Sequence, residues 1–211
     1  EIRTLDDVVQ VLTGSGQSGS EAEEVASPKA DGASGIARMP ARLLRLPVPD
    51  RLVDAYADQP VAVIAGVQDE LAERLADTLR AEGWVVHAAA QIPDDVERVD
   101  VVLDLATRTP PTWREASDVL TWSLTLAGRA QPLLDEAATD RRAAFIAVSR
   151  IDGALGMTDP GDTRGLLGGL SGLVKTLGIE APSVFSRYVD VAPELSAEQA
   201  ARLLLAELFD S

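Results

Sequence analysis

From about residue 38 onward, apolar positions switch repeatedly between a continuous run and a helical period. "PVAVIAGV" (60–67) is an unbroken apolar run, as expected of a strand buried on both faces. "DELAERLADTLRAEG" (69–83) follows with helical spacing and stops at Gly83, a residue suited to closing a helix. "WVVHAAA" (84–90) and "VDVVLDLA" (99–106) read as the next strands, and "WREASDVLTWSLTLAGRAQPLLDEAA" (113–138) as a long helix that Pro132 could bend. "RRAAFIAVSR" (141–150) reads as a strand, "DTRGLLGGLSGLVKTLGIEAP" (162–182) as a helix and "SRYVDVAPEL" (186–195) as a last strand. "SAEQAARLLLAELFD" (196–210) is a final helix, with Ser196 and Glu198 at its start. Upstream, "RMPARLLRLPVPD" (38–50) reads as a strand closed by Pro47 and Pro49. Alternating strands and helices favour parallel pairing with right-handed crossovers, so residues 38–211 are predicted to form an α/β domain with a doubly wound parallel sheet.

The first residues follow another pattern. Leu5, Val8, Val9 and Leu12 lie on one helical face, with Thr4 as cap and Asp6 and Asp7 favouring the helix start. A helix over 1–13 is too short to stand alone and is expected to be the last helix of an upstream domain. "GSGQSGSEAEEVASPKADGASGIA" (14–37) has no apolar period and reads as a flexible interdomain linker. Because the chain opens without Met, it is expected to be a piece of something longer.

Composition narrows the partners. Hydrophobic residues make up 46% of the 211 residues but aromatics only 4%, so the core must be built from Val, Leu, Ile and Ala. A net charge of −15 repels nucleic acid and anionic membrane, and neither is expected as a partner. Without cysteine there is no disulfide, thiolate metal site or thiol nucleophile, and the lone His87 cannot build a zinc site. No metal site is therefore expected. No apolar run approaches the ~20 residues needed to span a bilayer, and the start lacks a signal pattern, so a cytoplasmic location is expected.

Candidate chemistry is sparse. A dinucleotide site needs closely spaced glycines in the first strand–helix turn, where backbone meets pyrophosphate. The turn here offers Gly66, then Val67, Gln68, Asp69 and Glu70, which puts two carboxylates where a phosphate would sit. The second strand ends without an acid for a ribose hydroxyl, so no cofactor-binding residue is expected. Asp104 ends a later strand and is a weak candidate for a functional contact. Ser149 could serve as a nucleophile only if His87 reached the carboxyl end of the sheet, and His87 is expected to pack in or beside the sheet. Asp94 and Asp95 read as a polar loop. In "GLLGGLSGL", Leu166, Leu167, Leu170 and Leu173 recur at the spacing of a helix face, and no "GK[ST]" follows, so this is a packing helix and not a phosphate cradle.

"VSRIDGALG" followed by "GGLSGLVKTLGIEAPSVFSRYVDVAPELSAEQAARLLLAEL" resembles the ketoreductase region of iterative type I polyketide synthases and polyunsaturated fatty acid synthases, enediyne-type synthases included. The resemblance covers about 60 residues, 148–206, and is weak over 38–147 apart from element order. "IRTLDDVVQVL" is similar to the last helix of an acyl carrier domain. In that family the ketoreductase pairs two Rossmann-like, short-chain-reductase-like halves: a truncated structural subdomain without cofactor, and a catalytic subdomain that binds NADPH and carries Ser, Tyr and Lys. Carried onto this chain, the family's Tyr-x-x-x-Lys places Thr163 at the tyrosine and Leu167 at the lysine. Neither can protonate an alkoxide or lower an acid's pKa, so no catalytic residue is expected.

The resemblance thus implies the non-catalytic structural subdomain, with NADPH in a downstream catalytic subdomain and phosphopantetheine on an upstream acyl carrier domain. Those two domains are the expected partners, and a homodimer through the parent synthase is a further expectation. The segment 41–50 and the outer faces of the helices at 113–138 and 165–180 are the expected contact surfaces. Two alternatives stay open: a pseudo-reductase docking or dimerisation module, or a Rossmann-like enzyme of another class using Ser149 or Asp104.

Overall fold

A computed structural model describes residues 41–158 and 163–210; the helix expected at 1–13 and the linker expected at 14–37 lie outside them. The chain divides into two compact units, Glu1–Val48 and Pro49–Ser211. Within the first, residues 41–48 have no regular secondary structure. The strand expected over 38–50 is therefore corrected: none forms across 41–50. Pro47 and Pro49 each remove a ladder donor from the segment, which leaves it poorly suited to pairing. The ladder-like contact instead begins at Arg51, which bridges antiparallel to Asp210.

The second unit is built on five strands: β1 (Val61–Gly66), β2 (Val85–Ala89), β3 (Val101–Ala106), β4 (Ala143–Ser149) and β5 (Val184–Asp190). All pairings are parallel, in the order β2-β1-β3-β4-β5. The helices are α1 (Glu70–Ala81), α2 (Trp113–Ala137), α3 (Gly169–Glu180) and α4 (Ala197–Leu208). The chain leaves β1 towards one edge to form β2, then returns past β1 to build the rest of the sheet. This reversal makes β1/β3 the topological switch point, where a doubly wound sheet opens a crevice at its carboxyl end. The return from β2 to β3 carries no helix; Ile92 and Val99 are buried along it.

Local chemistry explains the helix ends. Asp69 caps α1 by accepting from the Leu71 and Ala72 N–H groups, and Gly83 follows the helix with φ +89°. Thr112 caps α2, which runs on through Pro132. Ser196 and Gln199 form a reciprocal capping box on α4, so the partner is Gln199 and not the acidic Glu198. The helix expected over 162–182 is split: Arg164–Gly168 is a 3-10 turn that leads into α3. Its buried stripe is Leu167, Leu170, Val174 and Leu177, while Leu166 and Leu173 are only half-buried.

Side chains of one sheet face meet α1 and α4, among them Ile64, Leu103 and Ile146 against Leu75 and Leu204. The other face, with Val63, Val102 and Phe145, packs on Leu126, Leu134, Leu170 and Val174 of α2 and α3.

Candidate functional site

The carboxyl end of β1 determines the shape of the crevice. Gly66 has φ +96°, and a Cβ there would lie 2.6 Å from the Leu105 carbonyl oxygen, so only glycine lets β1 and β3 approach this closely as the chain turns. Gln68 then fills the turn: its side-chain amide donates to the carbonyls of Ile64, Gly66 and Ala89, tying the end of β1 to the end of β2. Asp69 occupies the helix N-terminus. One carboxylate oxygen takes the Leu71 and Ala72 N–H groups at 3.0 and 3.1 Å, and the other accepts from the Thr107 hydroxyl at 3.3 Å. The seat where a helix dipole would hold a phosphate is thus filled by the chain's own carboxylate.

Beside this filled turn a pocket of about 450 Å³ remains, lined by Gly66, Val67, Ala90, Leu105, Ala106, Arg108, Asp118, Val119 and Trp122. Its position outside β1, β2 and β3 is that of the switch-point crevice. Residues from α2 and from the β3–α2 loop could not be tied to it from sequence, because they come from segments remote from the glycine turn. One layer further in, on the same sheet face as Ala106, lies Asp104, with Ser123 one helical turn beyond Val119. Both are fully buried, and no well-formed hydrogen bond reaches either of them among the described residues; the only polar interaction each has is with the other. Burial pushes the Asp104 carboxyl up to about 7, and the facing Ser123 hydroxyl only tempers this.

Further along the same end of the sheet, Ser149 closes β4 and is fully buried. Its hydroxyl donates to Asp190 at 2.9 Å and pairs with the Tyr188 hydroxyl at 2.7 Å, both from β5. Burial raises the Tyr188 phenol to about 12. Asp190 also accepts from the backbone N–H groups of Ile151, Asp152 and Leu155, so its carboxylate is spent on the loop after β4. Asp152 continues the job, accepting from Ala154, Gly156 and Thr158; the Thr158 hydroxyl chiefly holds it below the usual carboxylate range. Asp190 and Asp152 escaped sequence reasoning. The "DG" at 152–153 was the available signal of a tight turn.

The structure does not bring Ser149 and His87 together. Following the register, His87 pairs with Val63, Val63 with Val102 and Val102 with Phe145. His87 is therefore three strands, about 14 Å, across and four residues, about 13 Å, along the sheet from Ser149. Asp94 is held by Arg129 at 2.8 Å on the face of α2, away from any second carboxylate role. Thr163 is buried and donates its hydroxyl to the Pro110 carbonyl at 2.5 Å, while Leu167 is buried in the core. Among the described residues no cluster of His, Asp and Glu could hold a metal ion, and no helix is long and apolar enough to cross a membrane.

No family model matches the chain. Over 100 residues it is 41% identical to a polyunsaturated fatty acid synthase polypeptide from Thraustochytrium sp., a match that covers 44% of this chain and 4% of that protein's length. Among solved structures, it is similar to a 3-ketoacyl-(acyl-carrier-protein) reductase from Brucella melitensis, complexed with NADH, with a TM-score of 0.51 and 13% identity over 69% of this chain and 89% of the other. The sequence is thus related to a short stretch of a polyunsaturated fatty acid synthase, and the fold is that of the short-chain reductases.

Proposed function

We propose that this chain is the structural, non-catalytic half of a ketoreductase, which packs against and orders an NADPH-binding catalytic half in a cytoplasmic polyketide- or polyunsaturated-fatty-acid-type synthase. The parent protein would reduce a β-ketoacyl thioester, carried on the phosphopantetheine of an upstream carrier domain, to the β-hydroxyacyl thioester. The reaction needs a bound hydride donor, an acid for the developing alkoxide and a cation to tune that acid. In this chain Asp69 and Gln68 fill the turn that would meet the pyrophosphate. At the positions the resemblance assigns to the catalytic pair, Thr163 gives its hydroxyl to a backbone carbonyl and Leu167 is core.

The observation that carries the reading is a narrow uncharged stripe on each of α2 and α3, bordered by exposed charges such as Arg129 on α2 and Lys175 and Glu180 on α3. Ser117, Thr121, Leu124, Thr125, Gly128 and Pro132 are exposed along one stripe of α2, with Leu124 at 61%. Gly169, Gly172, Thr176 and Ile179 are exposed along one stripe of α3, with Ile179 at 75%. On a chain of net charge −15, two neighbouring helices that each keep an uncharged stripe between flanking charges match the apolar centre and polar rim of protein interfaces. The Ser117, Thr121 and Thr125 hydroxyls are already bonded back to their own helix, which lowers the cost of burying them.

Calorimetry and turnover test the proposal together. A longer polypeptide that runs on into the catalytic half should oxidise NADPH with a β-ketoacyl thioester, whereas this chain alone should take up no NADPH. Measurable NADPH affinity in this chain, or full activity of the catalytic half without it, would overturn the assignment.

A further inference from the structure

The switch-point pocket stays open although the phosphate seat beside it is filled. Its volume of about 450 Å³ falls within the ~300–1,000 Å³ typical of small-ligand pockets. Val67, Leu105, Ala106, Val119 and Trp122 make its walls apolar, and the charged side chains at its lining, Arg108 and Asp118, cancel one another. A ligand bearing a phosphate, sulfonate or carboxylate would meet Asp118 as well as Arg108 and so gain no net attraction from the lining, and the helix terminus beside the pocket is already held by Asp69. It would lose hydration there without gaining a free backbone donor. An uncharged apolar ligand loses no such hydration and gains contact with the Trp122 indole.

We infer that this pocket binds a small uncharged apolar molecule, an aromatic ring system or a short aliphatic chain, and discriminates against the anionic analogue of the same molecule. This goes beyond the structural role proposed above, because neither association with a catalytic half nor exclusion of NADPH requires the pocket to be occupied.

Two dyes with one ring system separate the alternatives. N-phenyl-1-naphthylamine is neutral, and 8-anilinonaphthalene-1-sulfonate adds a sulfonate. Titrations of the whole chain at about 0.15 M salt screen charges beyond roughly 8 Å, so the net charge of the protein contributes little to the comparison. The neutral dye should bind at least about tenfold more tightly than the anion and should shift the Trp122 indole signal and the Gly66 and Ala106 amides in NMR spectra. Val119→Trp, which fills the pocket from a half-buried position, should cost the neutral dye about tenfold or more. If that variant fails to fold, Ala90→Trp fills the pocket from the exposed opposite wall. Equal binding of both dyes, shifts confined to other surfaces, or no binding of either overturns the inference and leaves the association reading standing. Shifts of the Gly66 and Gln68 amides on adding NADPH would instead overturn that reading.

Discussion

The two faces of the sheet are built to different standards. On the α1/α4 face, the strand side chains Ala62, Ile64, Leu103, Leu105, Ile146 and Val148 meet apolar helix side chains. Tyr56, Trp84 and Phe209 close that face in edge-on contacts of 4.9, 5.6 and 6.0 Å, and the buried Tyr56 hydroxyl donates to the Leu208 carbonyl. On the α2/α3 face, Phe145, Leu134 and Leu170 supply comparable bulk, yet Asp104 and Ser123 are buried among them facing one another without a well-formed hydrogen bond. The same face carries the switch-point pocket wall of Val119 and Trp122 and, outside it, the uncharged helix stripes. Each side keeps a buried polar group without a full set of partners: the Arg142 guanidinium, stacked on Phe185, on the α1/α4 side, and the neutral-prone Asp104 carboxyl on the α2/α3 side. Only the α2/α3 side adds an open pocket and uncharged stripes on its helices. Proteins tend to depart from self-consistent packing where a partner or ligand is served, and the pocket and the uncharged stripes fall on the α2/α3 face.

The largest test of that contrast is Asp104→Asn. The Asp104 carboxyl is raised from 3.8 to about 7, so the folded chain holds this proton more tightly than the unfolded chain does. Its contribution to stability is complete below about pH 4 and is lost as pH rises through about 7, a change on the order of 4 kcal/mol. The isosteric amide does not titrate. Urea unfolding should find the variant more stable than the parent at about pH 8 by a few kcal/mol, with the gap closing towards about pH 4. Parallel stability curves would show that burial does not raise the Asp104 carboxyl.

Leu204→Ala probes the opposite face. The side chain is fully buried between α1 and α4, and its truncation should cost about 3 kcal/mol. Nothing titratable is exposed by the change, so the loss should be the same at about pH 5 and about pH 8. A loss that varies with pH would mean that the truncation also disturbs a titratable group on this face.

Much of the fold was legible because the parallel sheet leaves an unmistakable trace. β1, β3 and β4 are buried on both sides and read as continuous apolar runs, and α1 and α4 declare themselves by period and cap. The segment 41–50 misled because Leu and Val at alternate places look like a strand whether or not a partner edge exists; pairing is a property of the neighbour, not of the run. The break before α3 was hidden for a similar reason, since glycine and leucine suit a 3-10 turn as well as an α-helix. For the site, the turn at Gly66 and the carboxylate at Asp69 could be read locally, because a helix cap is a contact over a few residues. Arg108, Asp118 and Trp122 could not, because a pocket wall joins residues distant in sequence. Ser149 could be flagged but not interpreted, since its partners Tyr188 and Asp190 arrive from the neighbouring strand.

Smaller effects sharpen the contrast at the helix starts. α4 begins with a full capping box, in which the Ser196 hydroxyl accepts from the Gln199 N–H at 3.2 Å and the Gln199 side chain accepts from the Ser196 N–H at 3.0 Å. Ser196→Ala should cost about 1 kcal/mol in chemical unfolding. α3 has no side-chain cap, because the 3-10 turn before it supplies its first carbonyls. Replacing Gly168, the last residue of that turn, with alanine should therefore leave stability closer to the parent than the Ser196 change does.

The smallest and most pointed test is Gly172→Ala on α3. A Cβ at Gly172 meets nothing within 4 Å, so this glycine is not needed for packing inside the unit. In mid-helix it raises the entropy of the unfolded chain, and alanine should stabilise the isolated chain by about 0.5–1 kcal/mol. The glycine is then a cost that the chain bears for something outside itself. On the reading proposed above, that something is the close approach of a catalytic half to the stripe of Gly169, Gly172, Thr176 and Ile179. Gly172→Ala should raise the unfolding midpoint of the chain while weakening its association with the catalytic half, measured by calorimetry. Gly83, which also meets nothing within 4 Å but has φ +89°, is the contrasting case: Gly83→Ala should lower stability and leave association unchanged. A Gly172→Ala variant that is more stable and associates as well as the parent would remove α3 from the interface and break the assignment of the two faces.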